Sequence, residues 1–112
     1  MFDISLPMVA FLLVAGHCLA DFALQSDFLA QAKNRNTAIG KIFWKHALFA
    51  HSAIHGLVVA LITGSWVLAV AETVCHAVID FLKCENKISL NTDQILHYVC
   101  KAVWFSVVYF FY

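Results

Sequence analysis

The sequence predicts an all-α integral membrane protein built as one four-helix bundle, and three observations carry that expectation. Hydrophobic residues make up 62% of the 112-residue chain and charged residues only 12%, with a mean hydropathy of +0.81. A soluble domain of this length carries about twice that charge and has too little volume to hide so much apolar surface in one core. Four apolar runs each approach the length of a bilayer-crossing helix. Inside those runs the ionisable residues recur four apart, the spacing that stacks side chains on one helix face.

The runs follow one another with few interruptions, as a single membrane domain over residues 1–112. The first spans about residues 6–24, with Pro7 where a helix start tolerates it. A polar stretch from Ser26 to Lys41 follows, and within it Asp27 to Lys33 reads as a short interfacial helix, because Phe28 and Leu29 sit beside charged and amide neighbours. The second and third runs cover about residues 42–62 and 66–82. Only Thr63, Gly64 and Ser65 separate them, so those two helices must lie antiparallel and adjacent. After the polar stretch Lys83 to Asn91, Thr92 is the expected N-cap of a fourth span over about residues 92–112.

The basic residues orient the chain. Lys33, Arg35, Lys41 and Lys45 lie in or beside the first polar loop, and Lys83 and Lys87 in or beside the second. Only Lys101 lies elsewhere, within the fourth span. The positive-inside rule then places both loops in the cytoplasm and both termini outside, with Tyr109, Phe110, Phe111 and Tyr112 as an outer aromatic belt. Asp3 is the only early charge, so no basic segment introduces a removable signal peptide. A net charge of zero gives nucleic acid no electrostatic footprint. Cys18, Cys75, Cys84 and Cys100 form no Cys-x-x-Cys pair and read as small apolar fillers.

The chemistry is expected inside the spans, where ionisable groups are costly and usually functional. His17 and Asp21, His51 and His55, His76 and Asp80, and Asp93 and His97 form four pairs at i,i+4, one on each helix. Five of the six histidines have such a neighbour, although only thirteen residues of the chain are His, Asp or Glu. The up-down order of the helices gathers all four pairs toward the cytoplasmic side. At about 1.5 Å per residue, Asp21, Asp80 and Asp93 lie roughly 2 to 6 Å inside the boundary, and a layer of imidazoles lies beneath them. Neutral imidazoles with carboxylates are ligands for zinc, manganese or iron, and a divalent charge offsets the cost of burying the acids. The eight paired residues are therefore the expected metal ligands. His-carboxylate hydrogen bonds that only hold helices together are the competing expectation.

Other polar residues have smaller roles. His46 points about 140° away from His51 around the helix and reads as an interfacial residue. Glu72 and Lys101 are each one turn deeper and are expected to meet as a structural ion pair. Gln25 and Gln94 flank the cluster.

Three stretches also resemble a known family. The pattern from His17 through Asp21-Phe22 and Gln25-Ser26-Asp27 to Leu29-Ala30 and Lys33 is similar to the opening of the domain-of-unknown-function 3307 family of bacteria and their phages. The stretch His76 to Lys83 and the stretch Asp93 to His97 resemble its later signatures. The resemblance implies a small multi-spanning membrane protein and no settled activity. A looser similarity of His and Asp patterns to membrane-bound metal-dependent hydrolases implies hydrolytic chemistry.

The expected function is metal-dependent hydrolysis of a lipid-linked ester or phosphoester at the cytoplasmic leaflet of a bacterial inner membrane. Zinc is the first choice of metal, with manganese or iron behind it. Asp21 or Asp93 is the expected general base. Lys33, Arg35, Lys83 and Lys87 are expected to ring the mouth and attract a phosphate head group. The rival reading is a non-enzymatic module, a phage-type effector or pore component, that uses the His/Asp cluster for assembly. Haem suits three carboxylates poorly. Self-association into a homo-oligomer stays open.

Overall fold

The computed structural model describes residues 4–112, so Asp3 lies outside the described residues. Every regular element among them is helical: α1 Leu6–Ala23, α2 Asp27–Ala32, α3 Gly40–Thr63, α4 Trp66–Cys84 and α5 Leu90–Phe111. Pro7 sits in the first turn of α1, where its missing N–H costs nothing. Serine hydroxyls cap three later helices. Ser26 accepts from the Leu29 N–H at 3.1 Å, Ser65 from Leu68 at 3.2 Å and Ser89 from Thr92 at 3.1 Å. The cap of α5 is thus Ser89 rather than the expected Thr92, and the helix opens at Leu90.

Gly64 closes α3 in the left-handed conformation (φ 71°), and α4 begins two residues later. The four long helices close a ring in which α1 packs on α3 and α5, and α4 packs on α3 and α5, while short α2 lies against α3. Two glycines permit close approaches between the long helices, Gly16 of α1 against α3 and Gly56 of α3 against α4. A methyl group on Gly16 would meet Val58 Cγ1 at 2.5 Å, and one on Gly56 would meet Thr73 Oγ1 at 2.1 Å and the Ala69 carbonyl at 2.8 Å.

Apolar and polar residues have exchanged their usual places. Phe11, Phe49, Leu57, Val74, Ile95 and Phe110 face outward and are exposed, while six carboxylate and ammonium groups, those of Asp21, Lys33, Glu72, Asp80, Asp93 and Lys101, are buried. Three helices, α1, α3 and α5, are long and apolar enough to cross a membrane. The sequence reading counted four. Helix α4 is not among them because Glu72, Asp80 and Lys83 fall within its 19 residues. The core divides along the bundle. Val9, Leu13, Val59, Leu68 and Trp104 fill the end nearest the Gly64 turn, where Ser65 and the Tyr112 hydroxyl meet at 3.1 Å. Charged and imidazole side chains dominate the remainder, with Ala20, Ala47, Leu48, Ser52 and Cys84 buried among them.

Candidate metal centre

The site starts with a change of helical pitch. Residues Leu19–Ala23 of α1 form a π-helical turn, in which the Leu24 N–H reaches the Leu19 carbonyl at 2.9 Å. Such single turns re-aim side chains and are frequent at functional sites. Asp21 lies within this turn and is carried into the core, 5% exposed. The Gln25 amide donates to the Asp21 carbonyl at 3.1 Å and so occupies a backbone acceptor in the altered turn.

One oxygen of Asp21 is the focus of the cluster. Oδ1 lies 3.2 Å from His51 Nε2, 3.4 Å from His55 Nε2 and 3.7 Å from His76 Nε2. The four donors lie within 4.8 Å of one another and come from α1, α3 and α4. A tetrahedral ion with ligands at about 2.0–2.1 Å places its donors about 3.3 Å apart, and the three separations from Asp21 Oδ1 lie close to that value. Hydrogen bonding alone serves it badly. His55 Nε2 and both ring nitrogens of His76 are buried without a hydrogen-bond partner among the described residues. One carboxylate oxygen cannot satisfy three imidazoles. The chemistry of the donor set therefore fits a divalent cation.

Of the eight expected ligands, these four form the set, and the other four stand around it. His97 stacks on His76 with centroids 4.2 Å apart, and His76 in turn stacks on His55 at 3.7 Å. His17 lies 3.7 Å from Asp21 Oδ2. Asp93 is fully buried, 3.3 Å from His97 Nε2. Gln94 ties this half together: its amide nitrogen donates to Asp21 Oδ2 at 2.7 Å and Asp93 Oδ2 at 3.0 Å, and its oxygen pairs with His17 Nε2 at 3.0 Å. Asp80 is occupied otherwise. Lys33 donates to it at 2.6 Å and the Lys83 ammonium lies at 3.1 Å, while His51 and His76 stand at 3.7 and 3.9 Å.

That pairing changes the picture of the mouth. Lys33 was expected on an open rim, yet it is buried at 3% exposure with its ammonium on Asp80. Lys83 is half-buried on the same carboxylate. Arg35 and Lys87 are exposed. Arg35 pairs with Glu85, which holds the Glu85 carboxyl below and the guanidinium above their ordinary values. The Asn36 amide bonds Glu85 and the Cys84 carbonyl, so the loop before α3 is strapped to the end of α4. His46 is exposed on α3, away from the cluster.

One turn toward the apolar end, Lys101 donates to Glu72 Oε1 at 2.6 Å. The Trp104 indole donates to Oε2 at 2.6 Å. Sequence reasoning missed Trp104, Gln94 as a bridge, Lys33 as a partner of Asp80, and the π-turn. Trp104 was discoverable, since it lies three residues after Lys101 on the same face.

The sequence profile described as Protein of unknown function (DUF3307) matches residues 8–111, and the chain belongs to that family. No curated protein and no solved structure matches it.

Proposed function

We propose that this family member is a four-helix membrane bundle that binds a divalent cation and hydrolyses an ester or phosphoester of a lipid-linked substrate. Zinc is the favoured ion, ahead of manganese and iron. The observation that carries the reading is the buried set Asp21, His51, His55 and His76, drawn from three helices at coordination spacing. A divalent ion held by these four residues would supply Lewis-acid chemistry and a nucleophilic water at neutral pH.

The roles divide by what each carboxylate already does. Asp21 belongs to the donor set, so the proton acceptor falls to Asp93, whose buried Oδ1 makes no hydrogen bond among the described residues and lies 3.3 Å from His97 Nε2. The bilayer is that of the bacterial inner membrane, with both termini outside and the polar end at the cytoplasmic leaflet, where six of the seven basic residues gather. Arg35 and Lys87 are the exposed cations that an anionic head group meets first. The apolar layer of Val9, Leu13, Val59, Leu68 and Trp104 closes the far end of the cluster and argues against a pore.

A second reading has its own observation. None of the eight cluster residues exceeds 5% exposure, which suits a non-enzymatic module held together by its polar core. Elemental analysis of the purified protein, followed by a lipid and lipid-phosphate panel in nanodiscs read by mass spectrometry, separates the two. The expected result is one ion per chain and metal-dependent cleavage that Asp93→Asn abolishes without loss of the ion. Bound metal with no cleavage leaves the assembly module. Absent metal, with melting indifferent to chelator, overturns the metal centre.

A further inference from the structure

Glu72 is one of three buried carboxylates outside the donor set, with Asp80 and Asp93, and its surroundings are unusual. It is 1% exposed, and both of its oxygens receive a donor, Lys101 Nζ on Oε1 and Trp104 Nε1 on Oε2. It also stands four residues before His76 on α4, with Oε1 3.7 Å from His76 Nδ1, an ion-pair separation longer than a hydrogen bond. The His76 ring therefore faces two ways, Nδ1 toward Glu72 and Nε2 toward Asp21.

A buried ion pair is no cheap way to hold helices together. Well-packed apolar residues of equal volume are often as stable or more so, and Leu13, Val59 and Leu68 show that this end of the core is built that way. The location beside a candidate ligand gives the pair a second use. Histidines that bind metals usually donate their other ring N–H to a carboxylate, which fixes both tautomer and ring direction. Lys101 and Trp104 keep Glu72 from swinging away, because each holds one oxygen.

We propose that Glu72 is a positioning residue for His76: its negative charge on the Nδ1 side favours the tautomer protonated there, which turns the Nε2 lone pair toward Asp21 and the cation. Lys101 and Trp104 are its anchors. The proposal rests on the metal-centre reading for its consequence, while the tautomer itself is readable in metal-free protein.

The test uses the full chain labelled with 15N-histidine in detergent micelles, with His76→Asn identifying the resonances. Wild type is expected to show His76 protonated at Nδ1. The double variant Glu72→Gln with Lys101→Met removes both charges at near-constant volume. It is expected to lose the single tautomer and to bind cobalt(II) 10–100-fold more weakly, the usual cost of removing such a partner, with the metal-free melting temperature kept. A double variant with lowered melting but unchanged tautomer and cobalt affinity means a purely structural pair, and overturns the proposal. Glu72→Asp is the second variant. It keeps a charge opposite Lys101 while drawing the carboxylate one methylene back from the ring, and is expected to mix the tautomers too. If both variants keep the wild-type tautomer, the proposal is wrong. If wild type takes up no cobalt yet both variants mix the tautomers, the positioning stands and the metal-centre reading falls.

Discussion

Adding one methyl group to Gly56 tests whether helix packing sets the geometry of the site. The new Cβ would lie 2.1 Å from Thr73 Oγ1 and 2.8 Å from the Ala69 carbonyl oxygen, both on α4. The threonine side chain can rotate aside, but the carbonyl belongs to the helix backbone, so α3 and α4 must separate. Overpacking of this kind costs about 1–3 kcal/mol. The displacement also reaches the chemistry. His55 is the neighbouring residue on α3, and its ring stacks on His76 of α4 with centroids only 3.7 Å apart. Gly56→Ala is therefore expected to melt earlier and to bind cobalt(II) more weakly, because three of the four donors, His51 and His55 on α3 and His76 on α4, sit on the helices being pushed apart. Adding Thr73→Ala relieves the shorter contact and leaves the carbonyl, so it should restore part of the stability. Melting in detergent and cobalt titration by absorbance read both effects. Gly56→Ala with wild-type melting and wild-type affinity would refute the reasoning.

Three further outcomes are expected. Asp21→Asn keeps the shape but removes the charge on which three imidazoles converge, so cation affinity should fall by at least 10-fold while the helical circular dichroism stays. Glu85 is held below its ordinary value of 4.5 by Arg35 and Asn36, so the strap it forms is fully stabilised above that pH and is lost as pH falls through the lowered folded value; backbone amides of residues 34–37 should exchange faster there, and Glu85→Gln should remove the dependence. Single cysteines replacing the exposed Lys87 and Trp66 report orientation in intact cells: an impermeant maleimide should label the Trp66 position only, and the reverse pattern sinks the proposed topology.

How much of this was legible depends on the range of each signal. The helices were legible because apolar runs and their breaks are local, as at Gly64, where the left-handed turn falls between two runs. The number of membrane-length apolar helices is three and not four. Helix α4 looked like its neighbours in apolar character, and its three charges, Glu72, Asp80 and Lys83, set it apart by composition. The convergence of imidazoles and carboxylates was visible because i,i+4 spacing puts each pair on one face, and up-down connections bring the faces together. The partition within the cluster was not visible. Asp80 and Asp21 look alike in sequence, yet Lys33 reaches Asp80 from 47 residues away, and nothing local announces that pairing. The π-turn at Asp21 likewise has no residue signature, since Leu19–Ala23 would serve equally well in an α-helix.

Charge counting in the core bears on what the cluster holds. Glu72 is balanced by Lys101, and Asp80 has Lys33 and Lys83. Asp21 and Asp93 have no lysine or arginine partner among the described residues; their neighbours are imidazoles and the neutral Gln94. Counted together, the four carboxylates Asp21, Glu72, Asp80 and Asp93 face the three ammonium groups of Lys33, Lys83 and Lys101, which leaves one negative charge to compensate in a medium of low dielectric. A divalent cation beside Asp21 supplies that compensation while the ligating imidazoles stay neutral. The affinity for such a cation is therefore expected to follow the charge of the core. A cobalt(II) titration read by absorbance measures it, and Lys83→Met, which leaves the core one charge more negative without touching the donor set, should tighten binding. An affinity indifferent to that change would mean that the negative charge is balanced in some other way, and the argument from charge to a divalent ion would fail.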